Sequence, residues 1–125
     1  MQYKDIHKLA LENENFRTVV FTNEHSQVVL MSIKPGDDIG NEVHHVDQIL
    51  FFVKGQGKAV VGGQEHAVSA GDMVDVPSGT QHNFINTGTE DLKLYTGYAP
   101  SQHASGTIHK TKAEADAAEI LEHTA

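Results

Sequence analysis

The chain predicts an all-β fold, an antiparallel sandwich or barrel of short strands finished by a short C-terminal helix. Three observations carry that expectation. Runs rich in Val, Ile, Phe and Thr recur between turn signals roughly eight to twelve residues apart. The segments between them are clusters of Gly, Pro, Asn, Asp and Ser, not the long amphipathic stretches that a βαβ unit needs. A length of 125 residues suits one domain with one core, expected over 1–125 with a barrel core at about 16–99 and a tail and helix at about 100–125.

Element by element, Ile6 to Glu12 reads as a short helix with Ile6, Leu9 and Ala10 on one side. Phe16 to Thr22 reads as the first strand, and Gln27 to Ile33 returns after the polar turn Asn23-Glu24-His25-Ser26. Pro35-Gly36-Asp37-Asp38 breaks it. Glu42 to Lys54 holds two further short runs, with Gly55-Gln56-Gly57 as the turn that follows. Lys58 to Val61 and Gln64 to Val68 face each other across Gly62-Gly63, a two-residue hairpin loop. Met73 to Val76 is a strand stopped by Pro77-Ser78-Gly79, and His82 to Asn86 and Leu92 to Ala99 complete the series. Thr111 and Glu114 make a capping box, which predicts a helix from about Lys112 to His123 with Ala113, Ala117, Ile120 and Leu121 as its apolar face.

The formal net charge is −8 with no basic cluster, which argues against a nucleic-acid groove. No apolar run approaches the roughly 20 residues that span a bilayer, so no membrane is expected. Met1 to Leu11 carries Lys4, Asp5 and Lys8 and does not read as a signal peptide. With no cysteine, the chain must rely on its core and suits the cytoplasm. Gln27 to Met31 is apolar on both parities, which suggests burial on both faces and a homodimer.

Of nine histidines, two belong to spaced patterns. The first pattern runs Gly36, Glu42, His44, Gln48, Gly55, and the second runs Gly71, Pro77, Gly79, His82, Asn86. Strand side chains alternate faces, so Glu42, His44 and Gln48 share one side while His45 and Asp47 take the other. The adjacent His44 and His45 therefore cannot both serve one site from a regular strand. A closed antiparallel sheet would bring His82 opposite, so that two imidazoles, a carboxylate and an amide oxygen converge. His7, His25, His45, His66 and His123 read as surface residues. His103 and His109 fall in a segment that reads as a loose polar tail, the other possibility being a lid over the barrel mouth. Phe52, Phe84 and Tyr98 share the inward parity and are either plain core or cavity lining.

These two patterns resemble the paired motifs of the cupin family over roughly Pro35 to Asn86. The usual first motif has His-x-His, a short gap and Glu between two glycines; the second has Gly, Pro-x-Gly, His and Asn. The resemblance implies a cupin-type antiparallel β-barrel, a jelly-roll-like double-stranded β-helix, with a metal in its mouth. By position it implies Glu42, His44, Gln48 and His82 as metal ligands. The chain departs from the motif at two places: Glu42 stands where the first His is usual, and Gln48 where the Glu is usual. The ligand charge is unchanged, and Glu42, His44 and His82 still form a two-His, one-carboxylate set suited to a divalent ion such as Mn, Fe, Ni, Co or Zn. An amide oxygen is a weaker ligand, so Gln48 either completes the set or holds a water or substrate.

The fold hosts many activities, so the implied functions stay plural. The first is a metal-dependent enzyme on a small polar substrate, of isomerase, dioxygenase or lyase type, with Glu42 and Gln48 as catalytic candidates. The others are a non-catalytic small-molecule binder and a metal-free acid/base sugar isomerase or epimerase. No cluster of Lys or Arg lies near the motifs to hold a phosphate, with Lys54 and Lys58 at a turn of one barrel end as the only candidates, which argues against a phosphorylated sugar.

Overall fold

The computed structural model describes the backbone over residues 1–124 and side chains over 1–119. Strands β1 (Arg17–Thr22), β2 (Gln27–Ile33), β3 (Asp47–Lys54), β4 (Gln56–Val61), β5 (Gln64–Ser69), β6 (Met73–Val76), β7 (His82–Asn86), β8 (Leu92–Ala99) and β9 (Ile108–His109) form two antiparallel sheets. The larger has the order β6-β3-β8-β2-β1-β9, and the smaller β5-β4-β7. The sheets face each other over one core, and the expected barrel is drawn as these two sheets without a continuous closing ladder among the described residues. Val29, Met31 and Ile33 of β2, Leu50 and Phe52 of β3, and Leu92 and Leu94 of β8 meet Ala59, Val68 and Phe84 of the small sheet. Phe52 and Phe84 are fully enclosed 5.9 Å apart, so they are core. No helix among the described residues is long and apolar enough to cross a membrane.

The strands form where the pattern places them, with instructive differences. Gly62 (φ 57°) and Gly63 (φ 81°) both adopt the left-handed backbone that a tight two-residue hairpin requires, and Val61 pairs with Gln64 across them. The predicted strand from Glu42 starts only at Asp47; residues 42–46 run irregularly and touch β7 by one isolated bridge. Gly55 alone breaks the chain before β4, because its φ of 92° and the Asp91 carbonyl 2.7 Å from a built Cβ leave no place for a side chain. The short strand β9 pairs with Arg17 and Thr18 and was not legible beforehand.

Both faces of β2 are buried, yet the chain covers them itself. Helix α1 (Ile6–Glu12) lies on the outer face, where Ala10 joins Leu30 and Val53, with Ile6, Leu11, Val20 and Tyr95 packed around them. Leu9, expected on that face, is exposed; Leu11 takes its place. The apolar pattern at 27–31 is met by α1, so it does not call for a second subunit. Helix α2 (Lys112–Thr124) begins at its capping box, with Glu114 N donating to Thr111 Oγ1 at 3.1 Å. Ala115 is its buried contact, whereas Ala113 and Ala117 face solvent; the predicted face is rotated, and the Ile120 and Leu121 side chains lie outside the described residues.

Lys93 ties α1 to the sheet. Its ammonium is buried and donates to the Leu11 carbonyl at 2.7 Å, the Asn13 carbonyl at 2.9 Å and Glu14 Oε1 at 3.0 Å. A cation that caps a helix C-terminus satisfies otherwise orphaned carbonyls. Lys93→Met keeps the bulk and removes the donors, leaving two acceptors unmet, and is expected to cost about 2–4 kcal/mol. Urea unfolding with an unchanged m value checks this.

Candidate metal centre

Three predicted residues converge. Candidate ligand atoms of Glu42, His44 and His82 all lie within 4.8 Å of one another. His44 Nε2 donates to Glu42 Oε2 at 2.8 Å, and the His44 and His82 rings stand 5.1 Å apart. The Glu42 and His44 side chains are 14% and 10% exposed, and His82 is enclosed. His45 faces solvent, as the alternation requires.

Backbone geometry explains the convergence. Glu42 and His82 exchange both N–H···O bonds at 2.9 Å, and residues so paired across an antiparallel bridge project to one face. Gly79, in the left-handed conformation, donates its N–H to the His44 carbonyl at 2.8 Å, and Ser78 N–H reaches Asp47 Oδ1 at 3.0 Å. The Pro77-Ser78-Gly79 turn thus pins the first motif to the second. Asn86 is structural: its Nδ2 donates to the Ile33 and Glu90 carbonyls, each at 2.8 Å, and its Oδ1 accepts from Gly88.

The surroundings suit a cation. His82 Nδ1 is 2.9 Å from the Thr80 carbonyl, so a neutral ring donates there and leaves Nε2 as the lone-pair atom. Burial, with His44 nearby, keeps the His82 pKa below its ordinary value and so favours the neutral form a ligand needs. Gln48 is buried, with Nε2 donating to Thr96 Oγ1 at 3.2 Å and Tyr98 OH at 3.1 Å. Its Oε1 is buried with no hydrogen-bond partner, an acceptor left unmet by the protein. Burial holds the Tyr98 phenol protonated.

Beside Glu42 and His44 lies a cavity of about 90 Å³. Arg17 of β1, Gln102, His103 and Ala104 of the segment after β8, and Ala115 and Glu119 of α2 complete much of its wall. The segment expected as a loose tail is instead tied down as a strap along this cavity wall. Gln27 holds it: Oε1 accepts from the N–H groups of Gln102 (3.1 Å) and His103 (3.0 Å), and Nε2 donates to the His103 carbonyl (2.7 Å). His103 stacks edge-on against Tyr98, 5.2 Å between ring centroids. Lys54 and Lys58 instead pair with Glu90 and Glu65 at the surface. The cation that the motifs did not reveal is Arg17. Its one legible clue is parity, since it shares the inward face of β1 with Val19.

The family model for the cupin domain matches residues 29–98. The chain belongs to the cupin family. This cupin is 45% identical over 122 residues to the protein YrkC of Bacillus subtilis, covering 92% of the chain and 66% of that relative's length, just under two thirds. Its fold is shared with protein BH2720 of Bacillus halodurans, at TM-score 0.91 and 41% identity over 93% of each chain. Protein TT1209 of Thermus thermophilus matches at TM-score 0.70 and 27% identity, over 80% of this chain and 98% of its own.

His103 gives the cupin strap a pH dependence. Burial first, then Arg17, His44 and His109, push its pKa down to about 3 from 6.5. The folded ring stays neutral while an opened one titrates normally, so strap stability is fully present above 6.5 and lost as pH falls toward about 3. Amide protection at Gln102 and His103, corrected for intrinsic exchange, is expected to drop between pH 7 and pH 5 and to drop less in His103→Gln.

Proposed function

We propose that this cupin is a metal-dependent enzyme acting on a small polar molecule, with one divalent ion held by Glu42, His44 and His82. The observation that carries the reading is the convergence of three ligand atoms within 4.8 Å beside a cavity. An ion such as Mn, Fe, Ni, Co or Zn supplies Lewis-acid or redox chemistry there. Glu42 balances part of its charge. Gln48, fixed through Thr96 and Tyr98, offers Oε1 either to the ion or to a water beside it. Substrate enters on the Arg17 and His103 side, and the strap excludes bulk water from it. Isomerisation, lyase chemistry and dioxygenation all remain compatible with these roles. The cysteine-free composition supports the cytoplasm as its location.

A second reading rests on the 2.8 Å contact of His44 Nε2 with Glu42 Oε2, which would also serve metal-free proton transfer. A binder without catalysis would use the same cavity. Untagged protein is the test. Elemental analysis and dialysis against each ion are expected to give about one equivalent of a divalent metal, with affinity falling more than about 100-fold in His44→Ala and His82→Ala, beyond the range typical of outer-sphere losses. Metal-free wild-type protein that turns over sugars would favour the acid/base reading. Stoichiometric metal with no turnover of diketones, thiols or sugars, and no oxygen uptake, would favour the binder.

Metal also links to stability. At a free-ion concentration 100-fold above Kd, the folded state gains about 2.7 kcal/mol. A chelator is therefore expected to lower Tm by several degrees in wild type and to leave His82→Ala unmoved, as read by a thermal scan at fixed protein concentration.

A further inference from the structure

Arg17 is the only arginine in the chain, and it lies outside the matched cupin region. It occupies an inward position of β1, on the same side as Val19, where an apolar residue would be the ordinary choice. Only 7% of it is exposed. Among the described residues no carboxylate is within ion-pair distance of its guanidinium. Nη1 meets His109 Nδ1 at 3.1 Å, a contact that orients the group without neutralising it, and Nε is sealed from water with no hydrogen-bond partner. A buried cation with an unmet donor is unfavourable unless something pairs with it. The group borders the cavity that Glu42 and His44 line from another wall.

We propose that Arg17 anchors the carboxylate of a small monocarboxylic acid, holding the rest of the molecule toward Glu42 and His44. This rests on the metal-dependent reading for its chemistry, but the anchor itself stands on Arg17. A planar guanidinium matches a carboxylate with paired donors, which a lysine could not do. The cavity, about 90 Å³, suits a small ligand. Its charge limits the ligand further: one buried guanidinium, with Glu42 and Glu119 lining the same cavity, favours a monoanion over a phosphate dianion. His103 and His109 line the same cavity and carry no carboxylate that would compete for the guanidinium.

The test is calorimetric titration of metal-loaded protein with acetate, glycolate and pyruvate, against acetamide, glycolamide and inorganic phosphate. Acids are expected to bind better than their amides, with Arg17→Met weakening the acids by about 10- to 100-fold and leaving the amides unchanged. Arg17→Lys should recover part of the loss. Metal content, measured on every sample, should match wild type in both variants. The Nε–H resonance of the chain's single arginine should move on adding glycolate to wild type, a readout that needs no variant. The proposal is overturned if acids and amides bind alike, if acid binding ignores Arg17→Met, if the Nε–H resonance stays still, or if phosphate binds more tightly than glycolate in an Arg17-dependent way. Repeating the titration after chelation separates the two ideas: loss of metal with Arg17-dependent acid binding retained would sink the metal reading alone, and acid binding that needs only metal would sink the anchor alone.

Discussion

Two backbone hydrogen bonds between Glu42 and His82 are the constraint on which the site depends. They join a segment that is otherwise irregular to the edge of the small sheet, and they fix which way both side chains point. His44 follows two residues on, and its carbonyl is taken by Gly79 N–H from the turn before β7. Neither motif positions ligands by itself. The first supplies side chains on a segment too irregular to hold them, and the second supplies the rigid β7 edge and the turn that hold the segment. Each of these bonds runs between backbone groups, so side-chain changes at positions 42 and 44 can alter the chemistry without undoing the scaffold.

Around that scaffold the interior divides in two. Toward Phe52 and Phe84 it is apolar and close-packed. Toward β8 and β1 it holds Gln48, Thr96, Tyr98, Arg17 and His103, all wholly or partly buried. Polar groups in such a place are favourable only when paired, and most here are: Gln48 to Thr96 and Tyr98, Thr96 to the Ile49 carbonyl at 2.8 Å. Among these five residues the unmet atoms are Gln48 Oε1 and Arg17 Nε, an acceptor and a donor; Ser32 Oγ on β2 is the third buried atom without a partner among the described residues. An acceptor suits a cation and a donor suits an anion, which is the combination that the proposed metal and acid ligand would supply. The surrounding low dielectric strengthens both attractions.

Legibility followed the range of the interactions. Alternation places Glu42 and His44 together and His45 outward on the assumption of a regular strand; the segment is irregular, and the same outcome comes from the Glu42–His82 bridge and the Gly79 bond to the His44 carbonyl. The Gly62-Gly63 hairpin and the Thr111 cap are local. What could not be read depends on contacts between distant segments. Residues 42–46 looked like a strand because their composition is strand-like, but a single bridge to β7 is all the pairing they find. The strap at 102–104 looked like a polar tail because its order comes from Gln27, about 75 residues away. Ala115, not Ala113, faces inward because the tertiary approach of α2 rotates a face that alanines define only weakly. Arg17 was hidden for a different reason: a lone arginine in a β-branched run carries no spacing to set it apart.

The exchange of residues at the first motif also has a physical sense. A carboxylate at position 42 instead of 48 places the negative group at the cavity wall, where it is 14% exposed, and leaves the neutral amide in the enclosed position. An ionised group enclosed at 48 would need compensation from Thr96 and Tyr98, which are neutral. At 42 it meets His44 Nε2 directly at 2.8 Å, a contact that a shared proton would bridge. A divalent cation bound there would take over that proton's place between the same lone pairs, since ligands must give up their protons to coordinate. Proton transfer and metal binding are thus alternative loadings of one pair of atoms. Under the proposed metal-dependent reading the cation takes that place, with His82 Nε2 left as a further lone pair by the Thr80 carbonyl contact.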